Sequence, residues 1–437
     1  MLEHLAAVAR EFDPVLPEGR VVKVVGLTIE ALGPSCRIGE VCTVRAGEAE
    51  VPCEVVGFRE DRVLLMPLGR MDGIAPGAPV LASGERLQVT VGPDLVGRVL
   101  DGLGRPMDGR GPLAARLRRP IDNDPPPPLS RPPITEALGV GVRAIDGLLT
   151  CGRGQRLGIF AGSGVGKSTL LAMIARNAQA DVTVIGLVGE RGREVREFVE
   201  QDLGPQGLAR SVVVAATSDE PPLVRIKAAH TATAVAEYFR DQGADVVLLM
   251  DSVTRFAMAL REVGLAVGEP PASRGYTPSV FSALPRLLER SGRSHQGSIT
   301  GFYTVLVEGD DFNEPVTDTV RGILDGHVVL SRDLAQRGHY PAIDVPASVS
   351  RLMGSVAGPA QCRAAARLRE LLAGYRDGRD LVQIGAYRQG TDPVLDEALR
   401  RLPLIDAFLR QGVGEASSLD ETVARLLEVV GMDGDAA

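Results

Sequence analysis

The chain has 437 residues, which is too long for a single compact core, so we expect two or three domains. Its hydrophobic and charged fractions, 44% and 24%, are those of an ordinary globular protein, and its net charge of −8 argues against a broadly basic surface for nucleic acid. No apolar run is long enough to cross a bilayer or to act as a signal peptide, and the five cysteines form no C-x-x-C pair. We therefore expect a cytoplasmic protein with reduced thiols.

The N-terminal part of the chain divides into a short segment, residues 1–18, and a β-rich stretch, residues 19–92. The stretch consists of short apolar and β-branched runs that are broken by glycine, proline and charged turns. Runs of this length fit a small closed β-barrel, because closure removes the exposed strand edges. No cluster of catalytic side chains occurs in it, so we expect a structural role. In the short segment, apolar residues at helical spacing predict an amphipathic helix: Leu2, Leu5, Ala6, Ala9 and Phe12.

Residues 93–355 are predicted to form the next domain, which opens with a turn-rich connector that contains four consecutive prolines. A glycine-rich turn then lies between a strand-like apolar run and a helical run. This is the context of a P-loop, whose backbone N–H groups surround a polyphosphate while Lys167 reaches the β- and γ-phosphates and Ser168 ligates Mg²⁺. The first position of the motif is Ala161, which a backbone with negative φ tolerates. The predicted nucleotide-binding residues of this loop are Ala161, Gly162, Ser163, Gly164, Val165, Gly166, Lys167, Ser168 and Thr169.

Beyond the P-loop the sequence alternates between strand and helix. Continuous β-branched runs are typical of strands that are buried on both faces of a parallel sheet, and helices such as residues 231–240 and 281–289 would cover that sheet. The predicted fold class is therefore multidomain α/β, with a central RecA-like domain whose sheet is mostly parallel. The strands predicted from these runs are residues 182–188, 211–216, 246–250 and 301–307.

The strand signal disappears in residues 356–437, which are predicted to form a helical C-terminal domain. A first helix can end at Gly374, and a second begins at Pro393 and is interrupted by Pro403. Ser418 opens a capping box, Ser-Leu-Asp-Glu, in front of a third helix with one apolar face.

Two carboxylates follow strands of the predicted sheet. Asp251 ends one apolar run, where the second phosphate-binding motif of P-loop proteins holds Mg²⁺ through water. Glu190 follows another run, and the carboxyl ends of parallel strands meet at one ligand crevice. Glu190 is therefore the best candidate for the group that orients and deprotonates the attacking water. Composition alone favours a surface charge cluster at this position, so the interpretation depends on the P-loop beside it.

Several segments together resemble the catalytic subunits of the rotary ATPases. They are the P-loop and residues 189–194, 251–255, 274–281 and 339–344. Within that superfamily, the Ala-Gly-Ser form of the P-loop and two further segments are similar to the ATPases of type III protein export, above all to the flagellar export ATPases. The two segments are residues 150–156 and 324–332.

The resemblance implies roles for residues around the phosphates. Glu190 corresponds to the catalytic carboxylate, and Arg191 and Arg290 correspond to arginines that contact the γ-phosphate. Glu194 would lie near the hydrated Mg²⁺. The implied catalytic residues are Lys167, Glu190, Arg191, Arg290 and Arg351, and the implied metal-binding residues are Ser168, Asp251 and Glu194.

The resemblance also implies contacts with adenine and with a neighbouring subunit. Tyr340 matches the aromatic residue that stacks on adenine, and we expect Tyr387 to supply a second adenine contact from the C-terminal domain. Arg351 matches an arginine finger that reaches into the site of the next subunit, where a guanidinium neutralises charge on the transferred phosphoryl group. A finger in trans implies a homo-hexameric ring with heterologous interfaces, in which specific activity rises with protein concentration.

The implied function is Mg²⁺-dependent ATP hydrolysis that energises type III export, either flagellar or of the injectisome, by releasing or unfolding substrates at the export gate. The implied partners are a peripheral-stalk-like regulator, a coiled-coil central-stalk-like subunit, the export gate, and export substrates with their chaperones. Nucleic acid is not expected as a partner. The implied location is the cytoplasm, with peripheral association at the inner face of the cytoplasmic membrane.

Two other hypotheses remain at this point. The chain could be the catalytic subunit of a rotary ATP synthase or a RecA-like ring helicase, or it could be a non-catalytic nucleotide-binding ring subunit. The export-type segments argue against the synthase, and a barrel with the single aromatic residue Phe58 argues against the helicase. Glu190 argues against the non-catalytic subunit, because such subunits typically lack this carboxylate.

Overall fold

The computed structural model of the chain describes residues 18–307, 309 and 311–432. The amphipathic helix predicted within residues 1–18 and the last five residues of the predicted C-terminal domain lie outside the described residues.

The N-terminal strands close into a six-stranded antiparallel barrel, which confirms the predicted architecture. Along β3 every second residue points inward and is buried, including Cys42 and Val44, as the period of a strand with one solvent-facing side requires. The strands lie in the order β1-β2-β5-β4-β3-β6. Their bounds are β1 (Glu18–Val25), β2 (Thr28–Leu32), β3 (Glu40–Ala46), β4 (Ala49–Arg59), β5 (Arg62–Pro67) and β6 (Pro79–Arg86).

The central domain is built on a nine-stranded sheet that is parallel except at β16 and at the edge strand β19, so the predicted mostly parallel sheet is confirmed. The order is β19-β18-β12-β17-β15-β13-β14-β8, and β16 pairs with the start of β17. The strands after the barrel are β7 (Gln88–Val91), β8 (Val99–Asp101), β9 (Leu117–Pro120), β10 (Ala137–Leu138), β11 (Cys151–Gly152), β12 (Arg156–Ala161), β13 (Val182–Glu190), β14 (Ser211–Thr217), β15 (Asp245–Asp251), β16 (Gly292–Arg293), β17 (Ser298–Leu306), β18 (Gly326–Leu330) and β19 (Val349–Ser350).

Helices cover both faces of this sheet and bury one large apolar cluster on each side. The helix predicted over residues 231–240 begins nine residues earlier, at Pro222, because a proline fits the first helical turn. The helices of the domain are α1 (Arg143–Leu148), α2 (Lys167–Asn177), α3 (Gly192–Glu197), α4 (Gly204–Leu208), α5 (Pro222–Asp241), α6 (Val253–Val267), α7 (Pro278–Leu288), α8 (Pro315–Ile323), α9 (Arg332–Gln336) and α10 (Met353–Val356), with a π-helical turn at Phe198–Leu203.

The C-terminal region is helical, as predicted, and consists of α11 (Pro359–Gln383), α12 (Pro393–Leu409) and α13 (Leu419–Val430). Two predicted breaks are wrong. Gly374 lies inside α11, where a Cβ would come within 2.9 Å of Val394 Cγ1, so this glycine permits close helix packing instead of ending the helix. Pro403 lies inside α12, which continues past it to Leu409. The helices described here are all too short or too polar to cross a bilayer.

Candidate active site

The P-loop joins β12 to α2 at the carboxyl end of the central sheet. Ala161, which replaces the usual first glycine, is the buried last residue of β12 and belongs to its extended backbone. Gly164 and Gly166 have φ values of +76° and +90°, which side-chain-bearing residues rarely adopt. The helix α2 begins directly afterwards at Lys167, and the backbone N–H groups of its first turn form a site for an anion.

The loop borders a cavity of about 560 Å³. Every predicted nucleotide-binding residue from 161 to 169 lines it except Val165, which packs into the apolar core below. The cavity is also lined by Glu190, the last residue of β13, and by Arg191 and Glu194, which follow that strand. The structure therefore brings the P-loop and the predicted catalytic segment to one cavity, as expected where parallel strands end side by side.

Lys167 lies between two carboxylates at the base of this cavity. Its Nζ is 2.5 Å from Asp251 Oδ1 and 3.4 Å from Glu190 Oε1. Asp251 is 3% exposed and does not itself line the cavity, but it contacts Lys167, which does. Three charged groups from α2, β13 and β15 thus meet where the predicted β- and γ-phosphates would be held.

The charges in this cluster shift the pKa values of its members. Burial works against the charged amine of Lys167, but Asp251 and Glu190 more than offset it and raise the pKa of Lys167. Burial raises the pKa of Glu190 against the opposing charge of Lys167, and the negative charge of Asp251 raises it further. Burial tends to raise the pKa of Glu194, but a hydrogen bond from Glu190 and the charge of Arg191 outweigh burial and lower this pKa. Glu190 therefore holds a proton more readily than an exposed glutamate does.

Arg255 lines the cavity and carries a positive charge, but the sequence patterns did not predict an individual role for it. It lies in the first turn of α6, four residues after Asp251, and its Nε is buried with no hydrogen-bond partner among the described residues. Gly189 leaves room for it, since a Cβ there would be 3.0 Å from Arg255 Cβ. The signal that could have found it is its place in the sequence, because the first turn of a helix that begins two residues after a strand-end aspartate lies at the same crevice.

Arg290 lies at the end of the sheet away from the P-loop, and its predicted contact with the γ-phosphate is wrong. It follows α7, next to β16, which pairs with the beginning of β17 at the amino end of the sheet. Its guanidinium is 1% exposed and donates to both carboxylate oxygens of Glu237 at 2.8 Å and to the Ile121 carbonyl at 2.8 Å. A side chain that is buried and fully engaged at this edge has no path to a ligand at the other.

Tyr340 lies beside the P-loop. A Cβ added to Gly166 would be 3.4 Å from Cδ1 and Cε1 of its ring, and the side chain is 46% exposed. A half-exposed aromatic face next to a phosphate loop is a suitable platform for a nucleotide base. The position of Tyr340 therefore agrees with the role that the resemblance implies, which stays a prediction.

Tyr387 lies in a different part of the C-terminal domain. Its hydroxyl donates to Asp396 Oδ1 at 2.8 Å, at the beginning of α12. The segment that contacts Tyr340 follows the other end of that helix, where the Gln411 N–H donates to the Tyr340 carbonyl at 2.9 Å. A helix of 17 residues is about 25 Å long, so the structure contradicts an adenine contact from Tyr387.

Arg351 is an exposed residue that follows the edge strand β19. Its backbone N–H donates to the Asp325 carbonyl at 3.0 Å, and its side chain is not part of the wall of the cavity in its own chain. The residue is thus placed outward, where a neighbouring molecule can meet it.

The donors around the cavity fit a hydrated magnesium ion. Carboxylates and a hydroxyl are the ligands that Mg²⁺ prefers, and Asp251, Glu194 and Ser168 supply them next to the P-loop. No three His, Cys, Asp or Glu side chains in the described part of the chain are grouped closely enough to hold a metal alone. A site of this kind suits Mg²⁺, which keeps several waters and is bound together with phosphates.

Three family models match successive parts of the chain. The ATP synthase alpha/beta family β-barrel domain matches residues 21–84, the nucleotide-binding domain of the same family matches residues 141–350, and the T3SS EscN ATPase C-terminal domain matches residues 357–428.

Individual proteins match over nearly the whole chain. The "Flagellum-specific ATP synthase" of Bacillus subtilis (strain 168) is 55% identical over 418 residues, which cover 94% of this chain and 95% of that protein. The "Type 3 secretion system ATPase" of Xanthomonas euvesicatoria is 53% identical over 413 residues, which cover 94% and 93%. The assembled ATPase EscN, solved in complex with its central stalk EscO from the enteropathogenic E. coli type III secretion system, superposes with a TM-score of 0.88 at 47% identity and covers 94% of this chain and 100% of that chain.

Proposed function

The chain belongs to the ATP synthase alpha/beta family and, within it, to the flagellar and type III secretion ATPases, and from this premise we propose that its ATP hydrolysis drives protein export through a type III apparatus. Relatives from flagella and from secretion systems are 55% and 53% identical to it, so the proposal is made at the level that both share. Neither a synthase subunit nor a helicase is favoured, and the catalytic carboxylate position is filled by Glu190.

The observation that carries the hydrolytic part is the meeting of Lys167, Glu190 and Asp251 beside the P-loop. Because its pKa is raised, the carboxylate of Glu190 is a stronger base towards water than that of an exposed glutamate. Lys167 and the P-loop N–H groups hold the β- and γ-phosphates, and Arg255 and Arg191 add positive charge to the lining of the cavity. Glu190 then orients the water in line with the γ-phosphate.

Magnesium would be held by Asp251, Glu194 and Ser168. A bound Mg²⁺ would supply positive charge that neutralises charge on the phosphate oxygens. The contribution of the chain is to place these three side chains around the P-loop, on β15, α3 and α2.

The site is proposed to be completed by a second copy of the chain. Arg351 is exposed and does not line the cavity of its own chain, which supports a role in the site of a neighbouring chain. A contact between two different surfaces of identical chains generates a ring when the rotation closes, and we propose a hexamer. The assembled state of EscN, which shares 47% of its sequence with this chain, supports this proposal.

The proposed partners follow from the same family. EscN was solved with a central stalk, and we propose a coiled-coil central-stalk-like subunit for this chain too. A peripheral-stalk-like regulator, the export gate and the exported substrates with their chaperones complete the proposed set. We place the ring in the cytoplasm, against the inner face of the cytoplasmic membrane where an export gate would stand.

The direct test is Glu190→Gln. The substitution keeps the shape of the side chain but removes the base, so we expect ATP turnover to fall by about 100- to 10 000-fold while nucleotide binding is retained. Phosphate release and binding of a fluorescent ATP analogue measure the two properties. The matched control is Glu200→Gln, an exposed glutamate that follows the same strand. Unchanged turnover in Glu190→Gln would remove the proposed role of this carboxylate.

A further inference from the structure

Thr304 is a buried residue of β17 whose hydroxyl contacts Asp251. The hydroxyl oxygen is 2.7 Å from Asp251 Oδ1 and 3.3 Å from the Met250 carbonyl oxygen, and the residue is 0% exposed. A hydroxyl has one hydrogen, so the shorter contact, to a charged oxygen, is its hydrogen bond. The strand β17 lies between β12, which leads into the P-loop, and β15, which ends at Asp251.

The two oxygens of the Asp251 carboxylate have different surroundings. Oδ1 receives both the Thr304 hydroxyl and, at 2.5 Å, the ammonium of Lys167. No donor from the described residues bonds to Oδ2. The contacts on one oxygen therefore fix the rotation of the carboxylate and leave the other oxygen for a different partner.

A triphosphate in the cavity would compete with Asp251 for Lys167. The phosphates carry more charge than one carboxylate, and Lys167 lines the cavity whereas Asp251 lies behind it. Thr304 does not line the cavity and has no such competitor. Once the lysine turns to the phosphates, the threonine is the donor that still holds Oδ1.

We propose that Thr304 is a positioning residue of the metal site, which keeps Asp251 oriented when nucleotide is bound and leaves Oδ2 for the hydrated cation. The inference rests on the proposed function, because it assumes that Asp251 serves a nucleotide-bound metal. Partners that orient a metal-holding carboxylate typically contribute about 10- to 100-fold to metal affinity. Removing the hydroxyl should therefore weaken metal binding without removing the nucleotide site.

The test is Thr304→Val, which removes the hydroxyl and keeps the branched shape. We expect the Kd of Mn²⁺ for the ADP complex, measured by electron paramagnetic resonance of the free ion, to rise about tenfold or more. ADP affinity in EDTA should stay the same, and Thr304→Ser should restore Mn²⁺ binding. The matched control is Thr300→Val: Thr300 is 1% exposed on the same strand and accepts a hydrogen bond from the Gly154 N–H at 2.8 Å, but lies four residues towards the amino end.

Unchanged Mn²⁺ affinity in Thr304→Val overturns the proposal, as does an equal loss in Thr300→Val. Thermal unfolding shows whether each variant is folded. If Thr304→Val does not fold, Thr304→Ala replaces it and must show the same loss of Mn²⁺ affinity. A wild-type protein that binds no ADP would overturn the proposed function itself, so the two failures are distinguishable.

Discussion

Arg290 and Glu237 form a two-bond ion pair with both nitrogen–oxygen distances at 2.8 Å and with side chains that are 1% and 2% exposed. Arg290 also donates to the Ile121 carbonyl, and Glu237 accepts from Asn123 at 2.7 Å. Ile121 and Asn123 belong to the connector that precedes the P-loop strand. The pair therefore fastens the connector across α5 and the end of α7, at the amino end of the sheet.

Arg290→Met should destabilise the protein by about 3–5 kcal/mol, because it leaves the carboxylate of Glu237 buried and without its two-bond partner, with only Arg119 4.0 Å away. Urea denaturation measures the loss in the free energy of unfolding. The double variant Arg290→Met/Glu237→Leu, which removes both charges, should recover much of it. Arg286→Met, at an exposed position of α7, is the control and should change stability little. A large loss of ATP affinity with unchanged stability would contradict the structural assignment.

His230 should make the stability of the protein depend on pH. Arg290 Nη1 lies 3.2 Å from His230 Nδ1, and because a guanidinium only donates, the ring accepts there and is neutral. Burial lowers the pKa of His230 well below its usual 6.5 against the charge of Asp122, and Arg290 and Lys227 lower it further. Below pH 6.5 the unfolded chain therefore binds a proton that the folded chain does not, so stability decreases as pH falls, by up to about 1.4 kcal/mol per unit.

The measurement is urea denaturation at several values between about pH 6.5 and pH 5, where His230→Gln should remove part of the slope. His295→Gln, at an exposed position, should leave the slope as it is. An equal slope in wild type and in His230→Gln would show that the His230 ring is not responsible.

How far the sequence could lead depended on the distance over which each feature is encoded. The barrel, the parallel sheet and the P-loop were predictable because β-branched runs, glycine turns and the strand–turn–helix pattern are local signals. The partners of Arg290 are 53 and 169 residues away along the chain, so no residue near it in the sequence indicates that its side chain is buried. The prediction that α11 ends at Gly374 was wrong for the same reason, since the residue that this glycine packs against, Val394, is on the next helix. Arg255, one turn after Asp251, was within reach of a local argument.

Tyr340 should carry most of the base stacking, and Tyr387 none of it. Tyr340→Ala should weaken binding of ATP by about 1–3 kcal/mol, because the ring beside Gly166 would no longer offer a face to the adenine. Tyr340→Phe should bind nearly as well as wild type, since it keeps that face. Tyr387→Phe, whose hydroxyl serves only the beginning of α12, is the matched control. Isothermal titration in EDTA measures these affinities, and a loss in Tyr387→Phe as large as in Tyr340→Ala would reverse the assignment.

Arg351 should act only between subunits, and two inactive variants should then complement each other. Arg351→Ala removes the finger and keeps Glu190, whereas Glu190→Gln removes the base and keeps the finger. Each alone should lose most of its ATPase activity, because a finger of this kind contributes about 10³–10⁵-fold in other phosphohydrolases. In Arg351→Ala, specific activity should no longer rise with protein concentration, whereas ATP binding should be unchanged.

In an equal mixture, about one interface in four joins an intact Glu190 to an intact Arg351, so activity should return to about a quarter of the wild-type value. The control mixes Glu190→Gln with the double variant Glu190→Gln/Arg351→Ala, in which no interface has an intact base and no activity should return. Co-purification through a tag on one of the two chains shows that mixed rings have formed. Mixed rings without recovered activity would mean that Arg351 does not complete the site of its neighbour. Recovery is expected only from the trans arrangement, because a finger that served its own chain would leave every site in the mixture lacking either the base or the guanidinium.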